Sequence, residues 1–166
     1  MKTVLDPGVA RHSAPVEDQV LRFMRLIWAV DHELERCSKR MEITHGLTVG
    51  QRMTLLLIAR YPHASAAELA SLMHVHPGTM SGMLKRLEAA GFIARSSHAG
   101  DARRHVLALT ATGTAANRQR KGTFESAARG VLRTHPASEI RAVERVLAAL
   151  AAGLGGVEPA VTGPGR

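Results

Sequence analysis

The stretch SAAELASLMHVHPGTMSGMLKRLEAAG, residues 65–91, decides the fold. Its first half begins at Ser65, which is followed three positions later by a glutamate, the spacing of a helix-capping box. Its second half begins at Pro77, a residue favoured in the first turn of a helix, and ends at Gly91, a common C-terminal cap. Two short helices around a tight turn predict a helix-turn-helix.

Two short strand-like runs follow this pair of helices. They span residues 92–95 and 104–109, and the polar segment 96–102 joins them as a loop. In the second run Leu107 and Leu109 alternate with smaller residues, so we expect both leucines on one face. A hairpin directly after a helix-turn-helix is a wing.

Further helices are expected on both sides of this winged unit. A second helix is predicted from Thr48, whose spacing to Gln51 is that of another capping box. Thr110 can cap a fifth helix, predicted as one continuous segment through Leu132, and Pro136 separates it from a sixth. In the helix at 65–73 we expect the apolar side chains, including Leu72, to face inward.

The first helix, from about residue 17 to 42, carries a long apolar stripe. Its members, spaced three and four apart, are Val20, Phe23, Met24, Ile27, Val30, Leu34, Cys37 and Met41. Leu21 and Trp28 begin a second apolar strip. A helix with two apolar faces needs two partners, and we expect these to be its own core and a partner subunit.

The fold class is therefore mainly α with a small β-hairpin wing. We expect a flexible tail at 1–15, an N-terminal dimerisation helix at 16–47, a winged helix-turn-helix DNA-binding domain at 48–110, C-terminal dimerisation helices at 111–152 and a second flexible tail, rich in Gly and Pro, at 153–166.

The charge balance favours an anionic partner. The 166 residues carry a formal net charge of +8, so nucleic acid is the first candidate and a membrane surface the second. No apolar run approaches the ~20 residues of a membrane span. The N-terminus MKTVLDPGVARHSAP lacks the apolar stretch of a signal peptide, and a lone Cys37 excludes an internal disulfide. We expect a cytoplasmic protein.

Enzymatic activity is not expected. The sequence has no Gly-rich phosphate loop, no plausible Ser-His-Asp arrangement and no paired carboxylates in an apolar setting, so no cofactor is expected either. The main alternative to DNA binding is a winged helix that serves only as a protein-interaction module. Salt separates the two, because DNA affinity falls steeply as salt rises.

The second helix of the helix-turn-helix is expected to enter the DNA major groove. Between His76 and His105 there are five Lys or Arg residues against two acids, a net charge of +3. Small side chains open the helix and permit close approach to bases: Pro77, Gly78, Thr79, Ser81 and Gly82. Lys85 and Arg86 follow and are expected to contact phosphates.

Wing residues complete the predicted DNA-binding set. Arg95, Arg103 and Arg104 are the cations, and Arg103 can insert into the minor groove, where the potential is negative. Asp101 either pairs with Arg103 and orients it or caps the loop.

These residues resemble the multiple-antibiotic-resistance regulator (MarR) family of winged-helix repressors over residues 17–154. Three matches carry the resemblance: Leu47-Thr48 followed by Gln51; His76-Pro77-Gly78-Thr79 through Leu87-Glu88 and Gly91; and Asp101-Ala102-Arg103 followed by Leu109-Thr110 and Gly113. The resemblance implies a homodimer built from the first, fifth and sixth helices, which binds a pseudo-palindromic operator in duplex DNA. Gly82 departs from the pattern, since many members carry a larger polar residue there.

The resemblance also implies a small-molecule effector, often phenolic or anionic, that lowers DNA affinity. Its cleft would be lined by Trp28, His32, Arg52, Met53 and Leu56. Arg52 can serve a ligand carboxylate or a salt bridge within the dimer, and the sequence favours neither.

The cysteine and the histidines are candidates for two other kinds of sensor. Cys37 has Arg36 and Lys39 nearby and is a candidate peroxide sensor, but it also fits the apolar stripe, so a structural role is expected. The sequence contains nine histidines, a residue type that binds zinc, but no pair has metal-ligand spacing on one helix face. We therefore expect no metal site. His32 and His45 remain candidates as pocket donors or pH-sensitive groups.

Overall fold

The computed structural model describes residues 15–98 and 101–155; for Pro15 and residues 96–98 and 101–105 it describes the backbone alone. The elements in chain order are α1 (Pro15–His45), α2 (Val49–Arg60), α3 (Ala66–Leu72), α4 (Pro77–Ala89), β1 (Ile93–His98), β2 (Asp101–Leu109), α5 (Ala111–Arg118), α6 (Phe124–Leu132) and α7 (Ala137–Gly155). This mainly helical fold with a small antiparallel hairpin confirms the predicted fold class. The chain divides into two compact units between Gln119 and Arg120.

Local capping signals fix the starts of α2 and α3. The Thr48 hydroxyl accepts from the Gln51 amide at 3.2 Å, and the Gln51 side chain accepts from the Thr48 amide at 2.9 Å. Ser65 and Glu68 make the same reciprocal pair at 3.2 and 2.7 Å. Both predicted capping boxes are therefore confirmed, and each supplies partners to amides that have none within the helix.

Residues in the left-handed region end both helices of the helix-turn-helix. After α4, Gly91 adopts φ +73°, and the Phe92 amide donates to the Leu87 carbonyl at 2.9 Å. After α3, His74 adopts φ +52°, a conformation that a non-glycine residue takes at a cost of about 1–2 kcal/mol. These caps set the tight turn into α4 and the turn into the wing.

The core of the first unit lies where α2, α3, α4 and the wing meet. Its buried members are Leu47, Leu55, Ile58, Leu69, Ala70, Met80, Leu84, Leu87, Ile93 and Leu107. Leu107 and Leu109 both contact this core, as the alternation predicted, while Ala108 is exposed. The prediction for Leu72 is wrong, because its side chain is 46% exposed at the end of α3.

The wing strands are longer than predicted. Ile93 lies opposite Leu109 and Ser97 opposite His105 in an antiparallel ladder, which becomes irregular between Ser97 and His98. The predicted loop at 96–102 was therefore too long, since residues 96–98 and 101–102 belong to the strands. Polar composition indicated a loop, but backbone pairing that starts at the apolar base of the hairpin extends into polar residues.

The predicted fifth helix is two helices, α5 and α6. Gln119 adopts extended backbone angles after α5, and Gly122 adopts φ +76° before α6 begins at Phe124. A regular helix accommodates neither conformation. The last helix, α7, continues to Gly155 and so includes the first three residues of the segment 153–166, which the sequence predicts to be a tail.

A close backbone contact fastens α5 to the start of the wing. The Thr110 amide donates to the Phe92 carbonyl at 3.1 Å, while the Thr110 hydroxyl donates to the Gly91 carbonyl at 2.6 Å. The same hydroxyl oxygen accepts from the Gly113 amide at 3.0 Å. A Cβ atom at position 113 would lie 1.9 Å from the Phe92 carbonyl oxygen, so only glycine fits there.

We expect Gly113→Ala to lower the free energy of unfolding by about 3 kcal/mol or more, because backbone must move to admit the methyl group. Thermal and urea unfolding at fixed protein concentration measure the loss. Gly82→Ala is the matched control: its Cβ meets no atom within 4 Å, so removing a helical glycine should stabilise the chain by up to about 1 kcal/mol. A Gly113→Ala protein as stable as the parent would contradict the assigned contact.

Candidate nucleic-acid interface

Helix α4 divides into a core face and an exposed face. Met80, Leu84 and Leu87 are buried, whereas the residues at the predicted DNA-binding positions point away from the core. Pro77, Gly78, Thr79, Ser81, Lys85 and Arg86 are exposed and Gly82 is half-buried. Gly78, Ser81, Gly82 and Lys85 stand at i, i+3, i+4 and i+7, which places them along one side of the helix.

The first turn of α4 is capped by a side chain that the sequence analysis did not select. His76 is the N-cap residue, and its Nδ1 atom accepts a hydrogen bond from the Gly78 amide at 3.1 Å. A Cβ at position 78 would lie 3.2 Å from this nitrogen, so glycine lets the ring approach closely. Histidine is not a favoured N-cap residue, and propensity therefore gave no signal for this role.

Arg95 on β1 makes an ion pair with Glu88 at the end of α4. Its Nε atom lies 3.0 Å from a Glu88 carboxylate oxygen, and the two side chains are 37% and 40% exposed. Such a partly exposed pair contributes at most about 1 kcal/mol of stability. Its main effect is to direct the Arg95 guanidinium towards α4, so a phosphate at this position would have to share the group with Glu88.

The remaining wing predictions concern side chains outside the described residues. The backbones of Asp101, Arg103 and Arg104 lie in β2. Minor-groove insertion by Arg103 and both alternatives for Asp101 therefore stay predictions.

The residues predicted to line an effector cleft belong to α1 and α2, which pack against each other. Trp28 is 77% exposed and Met53 is 45% exposed, while His32 is also exposed and Leu56 is half-buried. Trp28 on α1 and Met53 on α2 therefore each expose apolar surface.

Arg52 differs from the other members of this predicted cleft, because it is only 3% exposed. Its guanidinium donates to the carbonyl of Ala116, to that of Asn117 at 3.1 Å and to that of Gln119 at 2.8 Å. These carbonyls lie at the C-terminal end of α5, where the helix dipole is negative. Arg52 thus joins α2 to the end of α5. This role differs from the two alternatives given above, binding of a ligand carboxylate and a salt bridge within the dimer.

The candidate sensor residues lie on α1. Cys37 and His45 are half-buried and His32 is exposed. Among the described side chains, those of residues 16–95 and 106–155, no three of His, Cys, Asp or Glu lie close enough together to hold a metal ion. None of the helices in this part of the chain is long and apolar enough to cross a membrane.

Sequence comparisons identify related regulators. The model of the MarR family matches residues 47–105. The HTH-type transcriptional repressor Rv2887 of Mycobacterium tuberculosis is 32% identical to this chain over 102 residues, which make up 61% of this chain and 73% of the repressor. The HTH-type transcriptional regulator TtmR of Methylorubrum extorquens is 31% identical over 87 residues, covering 52% of this chain and 45% of TtmR.

Solved structures share the fold. The M. tuberculosis protein Rv2887, in a complex with salicylic acid, superposes with a TM-score of 0.52 at 30% identity, covering 75% of this chain and 93% of that one. The MepR–DNA complex of S. aureus superposes with a TM-score of 0.65 at 19% identity, covering 80% and 97%. These likenesses confirm the predicted winged helix-turn-helix.

Replacing Arg52 should destabilise the first unit. We expect Arg52→Met to lower the free energy of unfolding by about 2–4 kcal/mol, because the carbonyls at the end of α5 lose charged donors. Chemical unfolding followed by circular dichroism measures this loss. Arg118→Met, at an exposed position in the last turn of the same helix, is the control and should change stability by less than about 0.5 kcal/mol. Equal effects at the two positions would rule out the carbonyl contacts as a source of stability.

Proposed function

Since this chain belongs to the MarR family of transcriptional regulators, we propose that it is a repressor which binds a pseudo-palindromic operator as a homodimer. The observation that carries the proposal is the exposed side of α4, where small residues are followed by Lys85 and Arg86. The repressor activity of the M. tuberculosis relative supports the direction of regulation.

The shape of α4 suits the major groove. Gly78, Ser81 and Gly82 keep one side of the helix narrow, so its backbone can approach base edges closely. Ser81 can donate to or accept from a base, and the cations in the following turn reach phosphates. Base contacts from such short side chains are few, so we propose that DNA shape contributes much of the specificity.

Exposed apolar faces support the homodimer. On α1, Val20, Leu21, Met24, Leu26, Trp28 and Val30 are between 51% and 77% exposed. In the second unit, neither α6 nor α7 buries a residue, and Val131, Leu132, Val143, Val146 and Leu147 are 44–60% exposed. Helices that leave many apolar side chains exposed are typical of association sites. We therefore propose that α1, α6 and α7 form the dimer contact.

A small aromatic or anionic effector is the proposed signal. The salicylic acid bound to the M. tuberculosis relative supports this class of ligand. We propose that the effector binds in the cleft predicted at Trp28, Met53 and Leu56. Arg52, also predicted to line this cleft, donates to three backbone carbonyls, so its guanidinium is already engaged. Oxidation of Cys37 is the alternative signal within the same family.

DNA binding is tested with fluorescently labelled duplexes from the region upstream of the protein's own gene. We expect Arg86→Gln to weaken binding by about 1 kcal/mol on specific and random duplexes alike, and to reduce the slope of log affinity against log salt by about 1. Arg118→Gln, at an exposed position on α5, should leave both values unchanged. If the parent protein shows no affinity for DNA, or if its association with the duplexes does not change with salt, a protein-interaction module would be indicated instead.

Dimerisation is tested by sedimentation equilibrium. We expect Met24→Glu to raise the dimer dissociation constant roughly a hundredfold, because a charge placed in an apolar contact loses its hydration. The control is Ile43→Glu, the same substitution type on the same helix but outside the apolar stripe, where the side chain is 84% exposed. A parent protein that stays monomeric at micromolar concentration would contradict the proposal.

A further inference from the structure

A cavity of about 610 Å³ opens beside the connection between α2 and α3. Its walls include Arg60, Tyr61, Pro62, Ala64, Glu68 and Leu72. A second cavity of about 310 Å³ shares Pro62 and His63 with the first and is bounded on its other side by residues 106–109 of β2. Cavities of this size hold small organic ligands.

Apolar side chains form much of the larger cavity. Tyr61, the C-cap of α2, is 43% exposed, and Leu72 at the end of α3 is 46% exposed. Pro62 lies in the connection between α2 and α3. Leu72 has the helical spacing of a core residue, yet its side chain faces this cavity. A flat apolar ligand would cover both exposed side chains, and burial of that surface would drive its binding.

A cation stands at the edge of this apolar surface. The Arg60 guanidinium lies 5.5 Å from the centre of the Tyr61 ring, and no carboxylate among the described side chains makes an ion pair with it. The cavity also contains the Glu68 carboxylate, but one of its oxygens accepts from both the amide and the hydroxyl of Ser65 at 2.7 Å. The capping box therefore holds the acid, whereas Arg60 presents donors to a ligand.

Arg60 and Arg52 are both α2 arginines, and they differ in what surrounds them. Arg52 is buried and donates to backbone carbonyls, whereas Arg60 is exposed at the end of the helix. An incoming carboxylate would have to displace three carbonyls from Arg52. At Arg60 it would add a charge-assisted hydrogen bond and leave the cation–π contact in place.

We infer that this α2–α3 cavity binds a planar aromatic carboxylate, with the carboxylate on Arg60 and the ring against Tyr61 and Leu72. This site is separate from the cleft proposed at Trp28, Met53 and Leu56, and the inference rests on the proposed function only in treating the ligand as a second effector. The wall formed by α3 belongs to the helix-turn-helix, so a ligand there contacts the element that positions α4.

The site is tested by titrating the ¹⁵N-labelled full-length protein, without DNA, with three ligands of one shape. Benzoate, benzamide and benzamidinium carry negative, zero and positive charge on the same ring. We expect benzoate to shift the amides of residues 60–72 and to saturate near millimolar concentration. Benzamide should bind about tenfold more weakly, since a charged hydrogen bond is lost. Equal or tighter binding of benzamide or benzamidinium would overturn the inference.

Variants locate the carboxylate. Arg60→Gln should weaken benzoate binding about tenfold, whereas Arg118→Gln, which also alters an arginine in the last turn of a helix, should not change it. Shifts confined to the amides of Trp28 and Met53, or unaltered affinity in Arg60→Gln, would overturn the assigned site. The DNA titrations are separate: a protein that binds DNA but not benzoate refutes only this inference, and the reverse result refutes only the proposed function.

Discussion

The contact between Gly113 and the Phe92 carbonyl is the constraint on which the first unit depends. Phe92 follows the last helix of the helix-turn-helix and precedes β1, and Gly113 lies in the first turn of α5 after β2. Without a Cβ, α5 reaches the backbone at the base of the wing, and Thr110 completes the junction with hydrogen bonds to both segments. Arg52 holds the opposite end of α5 on α2. The helix is therefore fixed at both ends, and the wing is held relative to α4.

Much of this fold was predictable because its signals are local. Thr48 and Ser65 each act on residues three positions away, and Gly91 acts within its own turn. The break between α5 and α6 was missed because apolar residues on both sides of it were assigned to one helix. Residues 117–123, NRQRKGT, include no apolar side chain and contain Gly122, and both features were available signals. The contacts of Arg52 span 64 to 67 residues along the chain, and no local pattern encodes them.

The candidate site was predictable to a different extent in each part. Helical periodicity was sufficient to separate the exposed side of α4 from its core side, because the 3.6-residue repeat that places the apolar side chains on one side places the others on the opposite side. The ion pair of Arg95 with Glu88 depends on how β1 returns past the end of α4, which composition does not reveal. The exposure of Leu72 was missed because helical spacing does not show what packs against the last residue of α3, and the connection at 61–64 leaves that side chain partly uncovered.

Gly82 has a consequence for how the proposed DNA preference can change by mutation. Apart from its own helix backbone and chain neighbours, a Cβ at this position meets no atom within 4 Å, so in the proposed complex a larger side chain would have room to extend towards DNA. Replacing a helical glycine with alanine also stabilises the helix by up to about 1 kcal/mol. Folding therefore permits helix-forming side chains at this position. In the proposed DNA complex, one such substitution would add a base contact and leave the scaffold unchanged.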